Sequence, residues 1–132
     1  MKETINDFVK EIAYHVKAYI LLSIAAFKLK LAMNLADIKQ KAHNRRFFVV
    51  LITTGITNTG RRIEKLRSID NRGFKYCKRM KWLPKRMTTL DLEQKSFYAT
   101  PLKRNNSLVR QEREKALKKY LRYQRVMNEL KL

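Results

Sequence analysis

The chain has 132 residues, and its 31 Lys and Arg residues outnumber its 11 Asp and Glu residues to give a formal net charge of +20 at pH 7. Lysine and arginine side chains displace the counterions that condense on a polyanion, so this excess predicts nucleic acid as the partner. An anionic membrane surface satisfies the same electrostatics. Because 45% of the residues are apolar, the composition argues against a disordered basic tail and predicts a folded core.

Residues suited to catalysis or metal binding are sparse. Cys77 is the single cysteine, which excludes an internal disulfide and a cysteine-based zinc site, and His15 and His43 are the only histidines. The cations around Cys77 favour a lowered thiol pKa, but no histidine lies near it in the sequence, so we interpret it as a helix residue half buried against the core. We therefore predict no enzyme activity, no catalytic residue, no metal and no cofactor.

The first 46 residues contain neither Gly nor Pro, and this composition predicts one long helix. Its apolar residues recur at intervals of three, four and seven positions, which is helical spacing. These residues are Ile12, Val16, Ile20, Phe27, Leu31, Leu35 and Ile38.

A second apolar side of the same helix carries Leu22, Ala26, Leu29 and Met33. Over residues 18–36 the helix is therefore apolar nearly all round and needs cover on more than one face. The alternatives for that cover are the rest of the chain, a second copy, a capsid or other partner protein, and lipid. A membrane span needs about 20 apolar residues, more than the uncharged run at 18–27 provides, so lipid is the least favoured of the four.

The next segment has the composition of a β-hairpin. Arg46 to Thr54 is dense in β-branched and aromatic residues and lacks period-2 alternation, which predicts a strand buried on both faces. Gly55 to Gly60 reads as a turn, and Arg61 to Ile69 alternates imperfectly. We predict a hairpin that joins the two runs; the alternative is a helix that starts near Arg61.

Residues 61–87 hold eleven Lys or Arg against two acidic residues, the most basic segment of the chain by density. We predict a short basic helix from about Asn71 to Trp82, ended by Pro84. A helical wheel over this segment separates two sides. One side carries Phe74, Tyr76, Cys77 and Met80, and the other carries Lys75, Lys78, Arg79 and Trp82, so an aromatic ring lies amid cations.

Three further elements complete the prediction. Thr88 or Thr89 can cap a short helical turn, and residues 96–100 have the composition of an extended segment. Ser107 can cap a final helix that runs to near Leu132. Its apolar stripe is Val109, Ala116, Tyr120, Tyr123, Met127 and Leu130, with Lys115, Lys118, Arg122 and Arg125 mainly opposite. The fold class is thus α+β, mainly α, in three segments: a long apolar helix at 1–45, a small basic α+β core at 46–106 and an amphipathic basic helix at 107–132.

Basic clusters interleaved with aromatic residues are the strongest functional signal, because cations neutralise phosphates while exposed rings stack on unpaired bases. We expect Phe47, Phe48 and Tyr120 to belong to the core, and Trp82 to be a candidate stacking residue. The predicted nucleic-acid-binding residues are Arg45, Arg46, Arg61, Arg62, Lys75, Lys78, Arg79, Lys81, Trp82, Lys85, Arg86, Lys115, Lys118, Arg122 and Arg125.

Several stretches carry a family resemblance. They are Leu-Ala-Asp-Ile-Lys-Gln at 35–40, Asn-Arg-Arg-Phe-Phe-Val-Val at 44–50, Phe-Lys-Tyr-Cys-Lys-Arg at 74–79, Leu-Pro-Lys at 83–85, and Leu-Asp-Leu-Glu followed by Ser-Phe-Tyr-Ala-Thr-Pro within 90–101. In this order they resemble small basic accessory proteins of the microviruses, tailless phages with single-stranded DNA. The resemblance spans roughly residues 31–125. It implies a phage protein that accompanies single-stranded DNA in the host cytoplasm or inside the virion.

The leading hypothesis is therefore a phage-encoded, sequence-tolerant nucleic-acid-binding protein, with single-stranded DNA favoured and a place in the virion possible. One alternative is a structural adaptor that docks its first helix on a capsid or other partner protein. Another is a basic protein of the membrane surface, which uses the same helix and its basic flanks.

Overall fold

The computed structural model describes residues 2–101 and 106–131, and it confirms the predicted α+β class with mainly helical structure. The elements in chain order are α1 (Lys2–His43), β1 (Phe48–Ile56), β2 (Arg62–Ile69), α2 (Asn71–Arg79), α3 (Thr89–Lys95), β3 (Tyr98–Ala99) and α4 (Asn106–Lys131). In the described part of the chain, no helix is both long and apolar enough to cross a membrane.

Helix α1 ends where an asparagine takes a left-handed backbone conformation. Asn44 has φ 52°, and its backbone N–H donates to the carbonyl of Gln40 at 2.8 Å. Asparagine adopts this conformation more readily than most residues, and it is a common stop at a helix C-terminus. The helix therefore closes at His43, slightly before the predicted boundary at residue 46.

The predicted hairpin is confirmed, and the alternative of a helix from Arg61 is wrong. Strand β1 pairs antiparallel with β2, with Phe48 opposite Ile69 at one end and Ile56 opposite Arg62 at the other. The turn is tighter than predicted because β1 continues through Gly55, and Gly60 takes the φ of 83° that such a turn requires. The extended segment at 96–100 contributes β3, which pairs with the other edge of β1 to give the order β2-β1-β3.

Strand β1 is buried on both faces, as its continuous apolar sequence predicted. Successive side chains point to opposite sides of a sheet, so Phe47 and Val49 face one layer while Phe48, Val50 and Ile52 face another. The first layer belongs to α1 and α4, and its buried residues are Ala25, Leu29, Met33, Ala36, Phe47, Val49, Tyr98, Ala116 and Tyr120. The second belongs to α2 and α3, and its buried residues are Phe48, Val50, Ile52, Ile69, Phe74, Cys77, Leu83 and Leu92. Phe47, Phe48 and Tyr120 are thus core residues, as expected.

A buried polar cluster ties α1, β3 and α4 together. The hydroxyl of Tyr98 donates to Oδ1 of Asp37 at 2.7 Å, and the guanidinium of Arg113 pairs with Oδ2 of the same carboxylate. Burial, followed by the hydrogen bond to Asp37, raises the pKa of Tyr98 well above its ordinary value. The cluster joins the three segments that the sequence separates, since its residues come from 1–45, 46–106 and 107–132.

The predicted caps of α3 and α4 have different outcomes. Thr88 caps α3 through a capping box with Asp91, and the backbone N–H and hydroxyl of Thr88 lower the pKa of that carboxyl. Helix α4 begins at Asn106, so Ser107 lies inside its first turn and the predicted Ser107 cap is wrong. The four cations predicted on its polar side are all exposed, while Ala116 and Tyr120 are buried. The side chain of Leu130 lies outside the described residues.

Candidate nucleic-acid interface

The start of α2 fixes where its cations lie. Asp70 caps the helix by accepting a hydrogen bond from the N–H of Gly73 at 2.8 Å. A side chain at residue 73 would bring its Cβ to 3.1 Å from the Cβ of Ile69, so glycine lets the helix start directly against the end of β2. The helix then lies on the second layer, with Phe74 and Cys77 buried.

The end of α2 corrects the predicted position of Trp82. The helix stops at Arg79 rather than continuing toward Pro84. Lys81 takes a left-handed φ of 62°, and the N–H of Trp82 donates to the carbonyl of Cys77 at 2.9 Å, which is a Schellman closure with lysine in the place usually taken by glycine. Trp82 therefore follows the helix, and the wheel over residues 71–82 was wrong for its last turn.

The same wheel misplaced two residues on the opposite side. Tyr76 and Met80 were grouped with the buried Phe74 and Cys77, but both are exposed. Tyr76 instead meets the ring of Trp82 edge to face, with the ring centroids 5.6 Å apart. Trp82 is half-buried by this contact and by the second core layer, so its position is held while part of the ring remains accessible.

Two hydrogen bonds hold the loop after α2. The N–H of Thr53 in β1 donates to the carbonyl of Trp82 at 3.1 Å. The ammonium of Lys78 donates to the carbonyl of Met87 at 2.7 Å and lies 5.1 Å from the centroid of the Phe74 ring. Lys78 is half-buried and acts as a positioning cation for the loop.

An open pocket of about 660 Å³ is bordered by the loop after α2, by the end of α2 and by the sheet. Its described lining residues include five cations and no carboxylate, which makes the pocket a site of positive potential beside an indole ring. The lining residues are Thr53, Arg62, Lys78, Arg79, Lys81, Trp82, Leu83, Pro84 and Lys85. We call this the Trp82 pocket.

A larger groove of about 850 Å³ runs between α1, β2 and the end of α4. The basic residues along it are Lys17, Lys28, Arg61, Arg62, Lys65 and Arg67. Lys65 and Arg67 pair with Ile52 and Val50, which face the second core layer, so the side chains of these two cations point to the α2 side of the sheet. Arg62 lines both the groove and the Trp82 pocket, so the two cavities have this residue in common. We call the pocket and the groove together the basic path.

Glu64 is the carboxylate among the described lining residues of the groove, and it is engaged with a tyrosine. The hydroxyl of Tyr123 donates to Oε2 of Glu64 at 2.7 Å. Burial, followed by this hydrogen bond to a carboxylate, raises the pKa of Tyr123 to about 12. Tyr123 therefore stays neutral and keeps Glu64 turned toward α4.

The structure brings about half of the predicted binding residues to the basic path. Those that line it are Arg61, Arg62, Lys78, Arg79, Lys81, Trp82 and Lys85. Lys75 and Arg86 are exposed and line neither cavity. Lys115, Lys118, Arg122 and Arg125 are exposed on α4 and also lie off the path. Helix α4 thus packs beside the segment at 61–87, but the four predicted binding cations of α4 do not line the basic path.

Arg45 and Arg46 have carboxylate partners and are structural in character. Arg45 pairs with Asp70 at 3.3 Å, and Arg46 pairs with Glu93 at 3.3 Å while its Nε donates to the carbonyl of Thr100 at 2.9 Å. These contacts join the start of β1 to α2, α3 and β3. Both arginines therefore have partners within the fold, while their side chains remain partly exposed.

Four cations of the groove were not among the predicted binding residues. Lys65 and Arg67 lie within β2, and Lys17 and Lys28 lie on α1. The high basic density of residues 61–87 included the first pair, but only the packing of β2 beside α1 brings the second pair to the same groove. Strand pairing turns the side chains of Lys65 and Arg67 to the α2 side of the sheet, whereas Lys17 and Lys28 reach the groove through tertiary contact.

Cys77 is a helix residue packed against the core, as expected, and it is fully buried rather than half-buried. It is buried in the second core layer, and burial raises its thiol pKa, with the nearby Arg67 opposing that change. The basic neighbourhood therefore does not produce an activated thiol. Within the part of the chain that the structure describes, no group of three or more His, Cys, Asp or Glu residues is placed to hold a metal ion.

Comparison of this chain with protein-family models, curated proteins and solved structures finds no match.

Proposed function

We propose that the protein binds single-stranded nucleic acid, with little regard to its sequence, along the basic path. The observation that carries this proposal is that Arg62 lines two cavities, a groove with basic residues along it and a pocket that holds a tryptophan. Proteins that bind single strands combine these two features, a positive groove for the phosphates and an aromatic side chain for the bases.

In this proposal each feature has a separate role. The cations of the groove and the pocket neutralise phosphates, which gives affinity without reading sequence. The accessible part of the Trp82 ring stacks on an unpaired base, which a duplex cannot offer. Arg62 lies where the strand passes from one cavity to the other, and Lys78 keeps the loop that carries Trp82 in place.

The resemblance to microvirus accessory proteins supplies the setting of the proposal. A protein that accompanies packaged single-stranded DNA gains from binding many sequences equally, because it must cover the genome rather than one site. We therefore favour DNA over RNA as the natural ligand and propose a place in the host cytoplasm or the virion interior. None of the roles assigned to the basic path requires a catalytic residue or a cofactor.

A salt titration tests the electrostatic part. Affinity for a mixed-sequence single-stranded DNA oligonucleotide, measured by fluorescence anisotropy, should fall steeply as salt rises, with a slope of about 0.7 in log-log form for each phosphate contact. Absence of binding at low salt, or an affinity that does not change with salt, would contradict the proposal.

Substitutions of Trp82 test the stacking part. Trp82→Leu keeps an apolar side chain against Tyr76 but removes the stacking face, so single-strand affinity should fall by roughly 5- to 150-fold, equivalent to about 1 to 3 kcal/mol per stacked base. Trp82→Tyr keeps an aromatic face and should retain most of the affinity. Binding to a duplex of the same length is the control, and equal losses on both ligands would remove the stacking role.

A further inference from the structure

The outer face of α1 carries an apolar stripe with an eleven-residue repeat. Ile5, Val16, Phe27 and Ile38 follow one another at intervals of eleven, as do Val9, Ile20 and Leu31. We call these seven side chains the α1 stripe. An eleven-residue repeat corresponds to 3.67 residues per turn, close to the period of a straight α-helix. The stripe therefore runs almost parallel to the helix axis for about 50 Å, given a rise of about 1.5 Å per residue.

Every side chain of the α1 stripe is exposed, with between 50% and 62% of its surface accessible. The body of the protein covers the opposite side of the helix, where Ala25, Leu29, Met33 and Ala36 are buried. The stripe consequently lies on the side of the helix away from the sheet and α4, apart from Leu31, which also lines the groove. Apolar patches of this extent on a protein surface mark sites of interaction.

Lysines flank the α1 stripe along both edges. Lys17 and Lys28 lie along one edge, where they also line the groove, and Lys30 and Lys41 lie along the other; all four are exposed. The described carboxylates of α1 lie elsewhere. Asp7 and Glu11 are on the side of the helix that continues the buried face, and Asp37 is enclosed with Tyr98 and Arg113.

We propose that the α1 stripe binds the surface of an anionic lipid bilayer, with the helix lying parallel to the membrane plane. Apolar side chains would enter the boundary between headgroups and acyl chains, and the flanking lysines would extend to the anionic headgroups on either side. Because the stripe runs straight along the helix, all of its side chains can contact a flat membrane surface at once. A stripe that wound around the helix would contact that surface over only part of its length. This inference does not depend on the proposed nucleic-acid function: the two surfaces share Lys17, Lys28 and Leu31, which also line the groove, but the other side chains of the stripe lie outside the basic path.

Charge argues for lipid over a second copy of the chain. A two-fold pair of α1 helices would bring lysine-lined edges together, and the described carboxylates of α1 are not placed to compensate them. Each copy also carries a net charge of +20, so association would face strong repulsion. Anionic headgroups supply the missing opposite charge over the full length of the helix.

The N-terminal half of α1 has few tertiary contacts, so its helical content should depend on membrane binding. Between Ile5 and Lys17 every side chain is exposed, so this part of the helix has little tertiary packing to stabilise it. Helices without tertiary packing are marginally stable in water. Contact with a bilayer should therefore raise the helical content of the protein, measured by circular dichroism, and neutral vesicles should have a much smaller effect.

Co-sedimentation with vesicles tests the inference directly. Full-length protein should pellet with vesicles of phosphatidylserine and phosphatidylcholine, and much less with phosphatidylcholine alone. The variant Ile20→Ser/Phe27→Ser/Leu31→Ser should lose vesicle affinity more than tenfold, because the three side chains lie at the centre of the stripe. The matched control Ile56→Ser/Leu90→Ser/Val126→Ser removes exposed apolar groups from other elements and should bind as the unmodified protein does.

A fluorescent reporter locates the contact. In a Trp82→Phe background, Phe27→Trp should show a blue-shifted emission with anionic vesicles, whereas the parent Trp82 should not, because it lies on the other side of the sheet. An unshifted Phe27→Trp emission would overturn the proposal. So would equal vesicle binding by the stripe variant and its control, since binding would then follow net charge alone.

Two further measurements distinguish membrane binding from dimerisation and from nucleic-acid binding. Sedimentation equilibrium that shows a stripe-dependent dimer, without binding to vesicles, would assign the stripe to a second copy and overturn the proposal. The variant Arg79→Gln/Lys81→Gln/Lys85→Gln alters the Trp82 pocket alone and should keep its vesicle binding. Failure of the nucleic-acid proposal would appear in oligonucleotide binding and leave these vesicle measurements unchanged.

Discussion

The two faces of α1 have similar apolar character and opposite environments. The inner face carries Ala25, Leu29, Met33 and Ala36, all buried against the sheet and α4, while the outer face carries the larger side chains of the α1 stripe, all exposed. The small alanines of the inner face let α4 and the sheet approach the helix closely. The comparison shows that an apolar helix face must be buried against some partner. The size and spacing of its side chains determine which partner can bury it.

Paired substitutions on the two faces should show the largest difference. Leu29 is 0% exposed and Leu31 is 52% exposed, so Leu29→Ala should lower the free energy of unfolding by about 3 kcal/mol, and Leu31→Ala by less than about 0.5 kcal/mol. Urea unfolding followed by circular dichroism measures both. Comparable losses would mean that the outer face is also packed within the chain.

The polar edge of the inner face should show the next largest effect. Asp37→Ala leaves the guanidinium of Arg113 without its carboxylate and the hydroxyl of Tyr98 without its acceptor. Because the Arg113 side chain is 34% exposed and can be rehydrated in part, we expect a loss of about 2 kcal/mol, below the range for a fully buried pair. Asp7→Ala, on an exposed part of the same helix, is the control and should leave stability unchanged.

A smaller effect should appear at high pH, where α4 meets β2. The phenol of Tyr123 releases its proton near its ordinary pKa of 10 in the unfolded chain but only near a pKa of about 12 in the folded protein. The unfolded state therefore binds fewer protons between these values, and stability should fall as pH rises from 10 to 12. Tyr123→Phe should make this fall shallower, and an unchanged pH profile would show that Tyr123 does not contribute to it.

Sequence patterns were sufficient for the elements whose signals are local. The long helix, the hairpin and the Thr88 cap follow from composition, β-branched runs and capping residues. The end of α2 did not follow, because its closure places Lys81 in a left-handed conformation that sequence normally assigns to glycine. Because of this error, the prediction placed Trp82 on a helix face. The structure places it in the loop after α2, where different cations surround the ring.

Sequence patterns also gave only part of the candidate site. Basic density identified residues 61–87, and this segment supplies the whole Trp82 pocket apart from Thr53. The groove was not predictable in the same way, because Lys17 and Lys28 join it only through the packing of α1 beside β2. Arg45 and Arg46 looked like phosphate contacts, yet their partners Asp70 and Glu93 are distant in sequence and meet them only in the fold.

We propose that nucleic-acid binding by this protein depends on where the positive charges lie as well as on how many there are. Two variants that each remove three cations test it most directly: Arg79→Gln/Lys81→Gln/Lys85→Gln in the Trp82 pocket, and Lys10→Gln/Lys30→Gln/Lys41→Gln on α1. Affinity for a single-stranded oligonucleotide should fall at least tenfold in the first, with a salt slope lower by about 2, and by no more than about twofold in the second. Equal losses in the two variants would contradict the account, since binding would then follow net charge and the basic path would have no special part in it.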